Sequence, residues 1–309
     1  MTSLQETRSQ HLSGALNKPA YIQAMYQRFH AQLFDYARYL SQTDVESIEI
    51  RDGAIVMTSR KYGIKMQCPE GDHRVAPIES LNFQSYEEKD ASMILKLVPN
   101  QSVVLDVGAN MGWYSLLIAC HVKGCQIHAF EPIPKTYSFL LKNIALNQVS
   151  NITAHHFGLS NEPKDLTFYF YPEGSGNASS ENLSERIDAE LVTCRVEKLD
   201  DFVNTNNLHV DFIKCDIEGA ELFAFQGATE TLKRDQPIVF TEMLRKWAAK
   251  FNYHPNEIIS LFSSFGYQCF YAEGKALKLI TEMTDETLET NFFFLHPEKH
   301  FQLIESFVN

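Results

Sequence analysis

The stretch SVVLDVGANMGWYS, Ser102 to Ser115, constrains the fold more than any other part of the chain. A run of apolar, largely β-branched residues leads into Asp106, and Gly108, Asn110 and Gly112 follow before the apolar spacing of a helix begins. Strand, glycine turn and helix in this order open a doubly wound sheet, and a ligand approaches the backbone at that first turn. The same rhythm continues with a helix from about Met111 to His121, the strand QIHAF, a helix from about Lys135 to Asn147, and the strand ITAHHFGL. Later come HVDFIKC, a helix beginning near Gly219, PIVFTEM, a helix from about Pro255 to Ser264, YQCFYAE and NFFFLH. Alternation of this kind implies an α/β fold with a mostly parallel sheet. The strands are apolar almost throughout, as strands covered by helices on both faces must be. LTFYFYP and LVTCRVEKL read as extra strands flanking a Gly-, Ser- and Asn-rich loop, residues 173–186. A loop of that length inside a compact domain is often functional.

Residues 1–98 follow another pattern, a small N-terminal α+β cap beside a main domain of residues 99–309. Between Pro19 and Ser41 the apolar positions Ile22, Met25, Tyr26, Phe29, Leu33, Tyr36, Ala37 and Leu40 recur at steps of three and four, one stripe of an amphipathic helix. That stripe either covers the main domain or joins a second copy in a homodimer; covering is the commoner use and is expected here. SIEIRDGAIVM alternates around Asp52 and Gly53, a favoured two-residue hairpin turn, and GIKMQC reads as a further short strand.

The glycine turn also says what it binds. Asn110 and Trp113 stand where the dinucleotide fingerprint G-x-G-x-x-G needs its second and third glycines, so a pyrophosphate ligand and nicotinamide-dependent chemistry are disfavoured. Asp106 before the glycines suits a ligand bearing an ammonium. Glu131, at the end of QIHAF, lies roughly 20 residues beyond the turn, where a strand-end acid accepts the two hydroxyls of a ribose. Ribose and amino acid together point to S-adenosylmethionine as cofactor. His155 and His156, adjacent on a strand, should face opposite layers, and neither is given a catalytic role.

DFIKCDIEGAE adds a second acidic cluster. Asp216 arrives at the carboxyl edge of the sheet, with Glu218, Gly219 and Glu221 in the turn that follows. Lys214 points to the same face as Asp216 and can hold a carboxylate ionised, and Glu242 at the end of PIVFTEM neighbours the group. Carboxylates there attract a cationic sulfonium, and Asp216 or Glu218 can take the proton from an acceptor hydroxyl. The same acids also suit the positive end of the next helix. Carboxylate number alone is weak evidence for a divalent ion at Asp216, Glu218 and Glu242, so no metal is assigned.

Composition excludes several other classes. Lys and Arg number 27 against 39 Asp and Glu, a net charge of −12, and such a surface repels nucleic acid and anionic lipid. The absence of an N-terminal leader pattern and of a long apolar run predicts a cytoplasmic protein without a membrane span. Cys68, Cys120, Cys125, Cys194, Cys215 and Cys269 are scattered without ligand spacing and read as reduced thiols.

The segments VLDVGANMGWYS, HAFEPIPKTYSFLLKNIALN, GLSN, VEKLDDF and DFIKCDIEGAELFAFQGA together make the chain resemble the FkbM family of S-adenosylmethionine-dependent methyltransferases, over about residues 85–245. The resemblance implies a Rossmann-like class I methyltransferase sheet of seven strands, the last antiparallel, and transfer of a methyl group to a hydroxyl of a carbohydrate or small secondary metabolite. It assigns Asp106, Gly108, Asn110 and Gly112 to the methionine and ribose, Glu131 to the ribose diol, and Phe157 with Gly158 to the adenine. Asp216 and Glu218 fall beside the transferable methyl, with Lys214 and Glu242 in support. The segment SYEE matches a Tyr-Glu element that makes Tyr86 and Glu87 candidates for closing over the cofactor. The acceptor pocket is expected from the 173–186 loop, the Tyr86 segment, Arg245 and Trp247. A nicotinamide oxidoreductase, or a binding protein that has lost turnover, are the competing readings.

Overall fold

A computed structural model describes residues 3–308. Three antiparallel strands come first, β1 (Val45–Arg51), β2 (Ala54–Ser59) and β3 (Lys65–Cys68). Asp52 and Gly53 both adopt positive φ in the β1–β2 turn, the conformation this two-residue hairpin requires. The helices Ala76–Phe83 and Glu88–Leu97 then lead into the main sheet with β4 (Val103–Val107), β5 (Gln126–Phe130) and β6 (Ile152–His155). Next come β7 (Gly158–Leu159), β8 (Lys164–Phe170) and β9 (Glu190–Glu197), a small separate sheet of order β7-β9-β8. The main sheet resumes with β10 (Phe212–Cys215), β11 (Ile238–Glu242), β12 (Gln268–Glu273), β13 (Ala276–Ile280) and β14 (Asn291–Leu295).

The main sheet has the order β13-β12-β14-β11-β10-β4-β5-β6. Strands β4, β5, β6, β10 and β11 pair in parallel, and β14 inserts antiparallel between β11 and β12. Among the described residues the sheet therefore has eight strands, not seven. The extra one, β13, continues from β12 through a turn at Gly274, and ALKLI pairs back onto QCFYAE. Apolar runs became central strands because both faces are covered: Phe292, Phe293 and Phe294 of β14 are all fully buried.

The main core does not stop at residue 98. Ile64, Met66, Ala91 and Ile94 pack in one cluster with Val104, Leu116, Phe240 and Phe293. The N-terminal helix behaves differently. It runs as Lys18–Met25, a single wider turn Tyr26–His30, and Ala31–Tyr39, preceded by a short helix Leu4–Leu12. No residue from Lys18 to Tyr39 is buried. The expectation that its stripe covers the main domain is thus overturned: amphipathic spacing specifies a face, not what covers it. Its C-terminal end touches the body, through Tyr39, whose hydroxyl donates to the Leu81 carbonyl, and through Leu40 on the Val45/Met57/Leu81 cluster. All six cysteines are free thiols, and no helix among the described residues is long and apolar enough to cross a membrane.

Candidate functional site

The chain order reverses at β4, which has β5 on one side and β10 on the other, and the crevice beyond these strand ends is the ligand position of an open α/β sheet. Two turns meet there. Gly108 follows β4 and Asp216 follows β10, and a Cβ on Gly108 would stand 2.0 Å from the Asp216 carbonyl oxygen. With φ at +73°, position 108 is doubly closed to a side chain.

Gly108 lines all three sections of the crevice. The largest, about 350 Å³, is walled by Gly158, Leu159, Ser160 and Asn161 after β6, by Phe168, and by Phe223 and Phe251. A middle section, about 50 Å³, contains Asn110, Glu131, Ile133, Ser175 and Gly176. The third, about 100 Å³, is lined by Arg74, Tyr86, Trp113, Lys214, Asp216 and Glu218. The 173–186 loop supplies wall along the whole length, from Ser180 and Glu181 to Gly176, rather than at the acceptor end alone. It is held down by Ser179, whose hydroxyl donates to the Glu218 carbonyl at 2.9 Å, and by the Ser175 amide on Asp72 at 3.2 Å.

Glu131 accepts the Asn110 amide at 3.0 Å on one oxygen and the Ile133 amide at 2.9 Å on the other. Burial pushes its carboxyl up to about 7 despite those two bonds. Each oxygen keeps a lone pair for a ligand hydroxyl. Behind the glycine turn, Lys214 is almost fully buried, its Nζ donating to the Gly108 carbonyl at 2.6 Å and lying 3.3 Å from Asp106 and 3.9 Å from Asp216. Burial opposes its charge, but the two carboxylates outweigh it and hold the ammonium above its ordinary range. Asp106 is fully buried, also accepts the Ser115 hydroxyl at 2.6 Å, and lines no section of the crevice. Held by Lys214 and Ser115, its side chain lies beneath the strand end and away from the crevice wall, where the sequence placed a contact for a ligand ammonium.

At the third section, oxygens of Asp216, Glu218 and Glu242 lie within 4.8 Å of one another. Burial and the neighbouring Asp216 raise Glu218 well above the usual carboxylate range and carry Glu242 up to about 10. Burial likewise lifts Glu87 to about 7, where its carboxylate accepts the Tyr114 hydroxyl. Glu87, Asn110 and Glu218 all have φ between 44° and 54°, a left-handed conformation costly outside glycine and frequent where function over-determines the backbone. Glu221 accepts the Ile217 and Gly219 amides and so fixes the turn that presents Asp216 and Glu218.

Other expectations fare differently. Gly112 has φ of +94°, and a Cβ there would meet Leu140 Cδ1 at 2.7 Å, so a side chain is excluded there by helix packing. Phe157 turns away from the crevice into an aromatic group with Phe130 and Phe202, leaving Gly158 in the wall. Arg245 donates to the Asp285 and Thr287 carbonyls and lines no section, and neither does Trp247; Phe251 takes that place. Glu87 sits one residue behind the wall that Tyr86 forms. Arg74 was missed: nothing in HRVAPIES signals it beyond Pro77, a mark of the helix Ala76–Phe83 that it precedes.

Sheet order, the antiparallel β14 and a ligand crevice at the β4/β10 switch define a class I methyltransferase fold. The Methyltransferase FkbM domain matches residues 106–269, more than half of the chain, and the protein belongs to that family. It is 33% identical over 147 residues to Methyltransferase 1 of Beauveria bassiana, covering 42% of this chain and 59% of the relative. To methyltransferase sdnD of Sordaria araneosa it is 28% identical over 162 residues, 43% of this chain and 62% of that protein. The chain thus spans about three fifths of the length of these curated relatives. A solved FkbM methyltransferase from Methylobacillus flagellatus aligns over 62% of this chain and 43% of its own, at 20% identity and a TM-score of 0.39.

Proposed function

We propose that this protein is an S-adenosylmethionine-dependent O-methyltransferase acting on a hydroxyl of a carbohydrate or small secondary metabolite, with Asp216 or Glu218 as base. One observation carries the reading: a single crevice, continuous along Gly108, joins a pocket after β6, a ribose-competent Glu131 and a cluster of carboxylates. The residues fit the cofactor, since Gly108 lines every section of the crevice and the buried Ser175 hydroxyl in the wall beside Glu131 lacks a partner. S-adenosylmethionine, when bound, supplies a methyl group on a cationic sulfur. Gly158 to Asn161 would hold its adenine, Glu131 its ribose, and the Gly108 and Asn110 backbone its amino-acid end.

The chain's own part is to orient the acceptor, remove its proton and exclude water. Glu218 is suited to the base role by its raised proton affinity, which brings it nearer that of its task than an ordinary carboxylate. Glu242, pushed to about 10, stays protonated at neutral pH and can donate a hydrogen bond while Glu218 accepts one. Lys214 fixes the carbonyl of Gly108 and so the position of both turns.

Calorimetry with S-adenosylhomocysteine and with NAD, followed by mass spectrometry of a panel of hydroxylated acceptors incubated with labelled cofactor, tests the proposal. Binding of the first compound and a gain of one methyl on an acceptor oxygen are expected. Binding of NAD instead would return the oxidoreductase reading. Glu218→Gln and Asp216→Asn should keep affinity within a few-fold, and the variant at the base should lose about 10²–10⁴ in kcat.

A further inference from the structure

The N-terminal helical arm is the largest feature that the site does not use. Ile22, Tyr26, Leu33, Phe34, Tyr36 and Tyr39 are each 40–57% exposed. Together they show on the order of 600 Å² of apolar surface, against the roughly 800 Å² per partner that a stable interface buries, before the stems of Arg28 and Arg38 are added. Ile22, Tyr26, Leu33 and Tyr36 share one stripe of the arm, and a contiguous exposed apolar stripe of a few hundred Å² marks an interaction site.

Charge says what covers it. Residues 1–42 carry Arg8, Lys18, Arg28 and Arg38 against Glu6 and Asp35, a net of +2 within a chain of −12, which leaves −14 on the rest. The body offers an acidic and apolar counterpart at the tip of the β1–β2 hairpin. Ile50 and Ile55 are direct cross-strand partners, 71% and 43% exposed, on the same face as the pair Ile48 and Met57. Glu46, Glu49 and Asp52 lie in the same hairpin with Arg51 as its one basic residue. The arm leaves the body directly before this hairpin, at Leu40–Gln42, so two copies related by a two-fold axis can each place an arm on the other's hairpin.

We infer that the protein is a homodimer formed by reciprocal docking of the N-terminal arm, through Tyr26, Leu33 and Tyr36, on the Ile50/Ile55 hairpin of a second copy. The arm supplies the apolar contact, and Arg28, with Arg38 beside its own Asp35, faces Glu46, Glu49 and Asp52. The two acidic bodies repel, and the basic arms offset that repulsion. Arm docking also bears on the Leu81–Glu87 segment, which Tyr39 touches and which carries Tyr86 into the crevice.

Sedimentation velocity with light scattering on the full chain at micromolar concentration tests this. A particle of twice 35.4 kDa is expected. Tyr26→Glu with Leu33→Glu should give a monomer with unchanged circular dichroism, since both residues are exposed and no core is disturbed. Arg28→Glu with Arg38→Glu should weaken the dimer at least about tenfold, and adding Glu46→Arg with Glu49→Arg should restore it. A monomeric wild type overturns the inference, as does a dimer indifferent to the arm substitutions. Loss without rescue by the reversed hairpin charges overturns the docking on the hairpin.

Discussion

Gly108 and Asp216 sit so close that no atom can be added between them, with 2.0 Å from the glycine's Cβ position to the acid's carbonyl oxygen. The contact ties the end of β4 to the end of β10, so the turn that would cradle the cofactor and the turn that carries the acids move together. Gly108→Ala adds both a clash and the cost of a left-handed alanine, about 1–2 kcal/mol for the latter alone. We expect a total loss of about 3 kcal/mol or more in urea unfolding, with S-adenosylhomocysteine binding abolished in whatever folds. A variant of unchanged stability would mean the two turns separate easily.

Lys214 is the cation that lets Asp106 be buried. Lys214→Met should cost about 3–5 kcal/mol, the usual result of stranding a buried charge, measured by denaturant unfolding. Lys214→Met combined with Asp106→Asn should recover much of that loss, because the uncompensated carboxylate is gone. A double variant as unstable as the single one would show that the hydrogen bond from Lys214 to the Gly108 carbonyl, rather than charge pairing, is the main contribution.

Much of this arrangement was legible in the sequence, for a physical reason. Buried parallel strands must be continuously apolar, so SVVLDV, HVDFIKC and PIVFTEM announced themselves, and the acid at each strand end fell at the sheet's carboxyl edge. Other features depend on direction, which spacing does not give. Asp106 and Asp216 both end strands, yet one points beneath the turn and the other into the crevice. Phe157 follows β6 where the chain leaves the sheet, so strand alternation no longer fixes its side, and it joined Phe130 and Phe202. Arg74 reaches the crevice only because β3 and the helix Ala76–Phe83 pack beside the main sheet, a long-range contact no local pattern encodes.

Glu87, Glu131 and Glu221 are each pushed by burial to about 7 in the folded chain, against about 4.5 when unfolded. A folded pKa above the unfolded one means the native state binds protons more tightly. The stability these groups contribute is therefore present at low pH and is lost as pH rises through about 7. The melting temperature of the ligand-free protein should fall between pH 6.5 and 8. His155, lowered to about 4 by burial, acts in the opposite direction only below about 6.5, while Glu242, raised to about 10, adds to the fall across the window. Glu87→Gln should flatten the fall, and an equal slope in that variant would remove Glu87 from its causes.

Ser175 separates a ligand contact from a structural one by the signs of two measurements. Its hydroxyl is buried in the crevice wall beside Glu131 and has no hydrogen-bond partner, while its amide holds the loop to Asp72. An unpaired buried hydroxyl costs about 1–3 kcal/mol, so Ser175→Ala should leave the ligand-free protein equally stable or slightly more so. If that hydroxyl is kept unpaired for the ribose side of the cofactor, the same substitution should weaken S-adenosylhomocysteine about five- to tenfold in calorimetry, one hydrogen bond's worth. Ser179→Ala, which releases the loop from the Glu218 carbonyl, should instead speed proteolytic cleavage of residues 173–186 without ligand. Unchanged affinity in Ser175→Ala together with a lower melting temperature would make Ser175 a loop anchor and place the ribose contact on Glu131 alone.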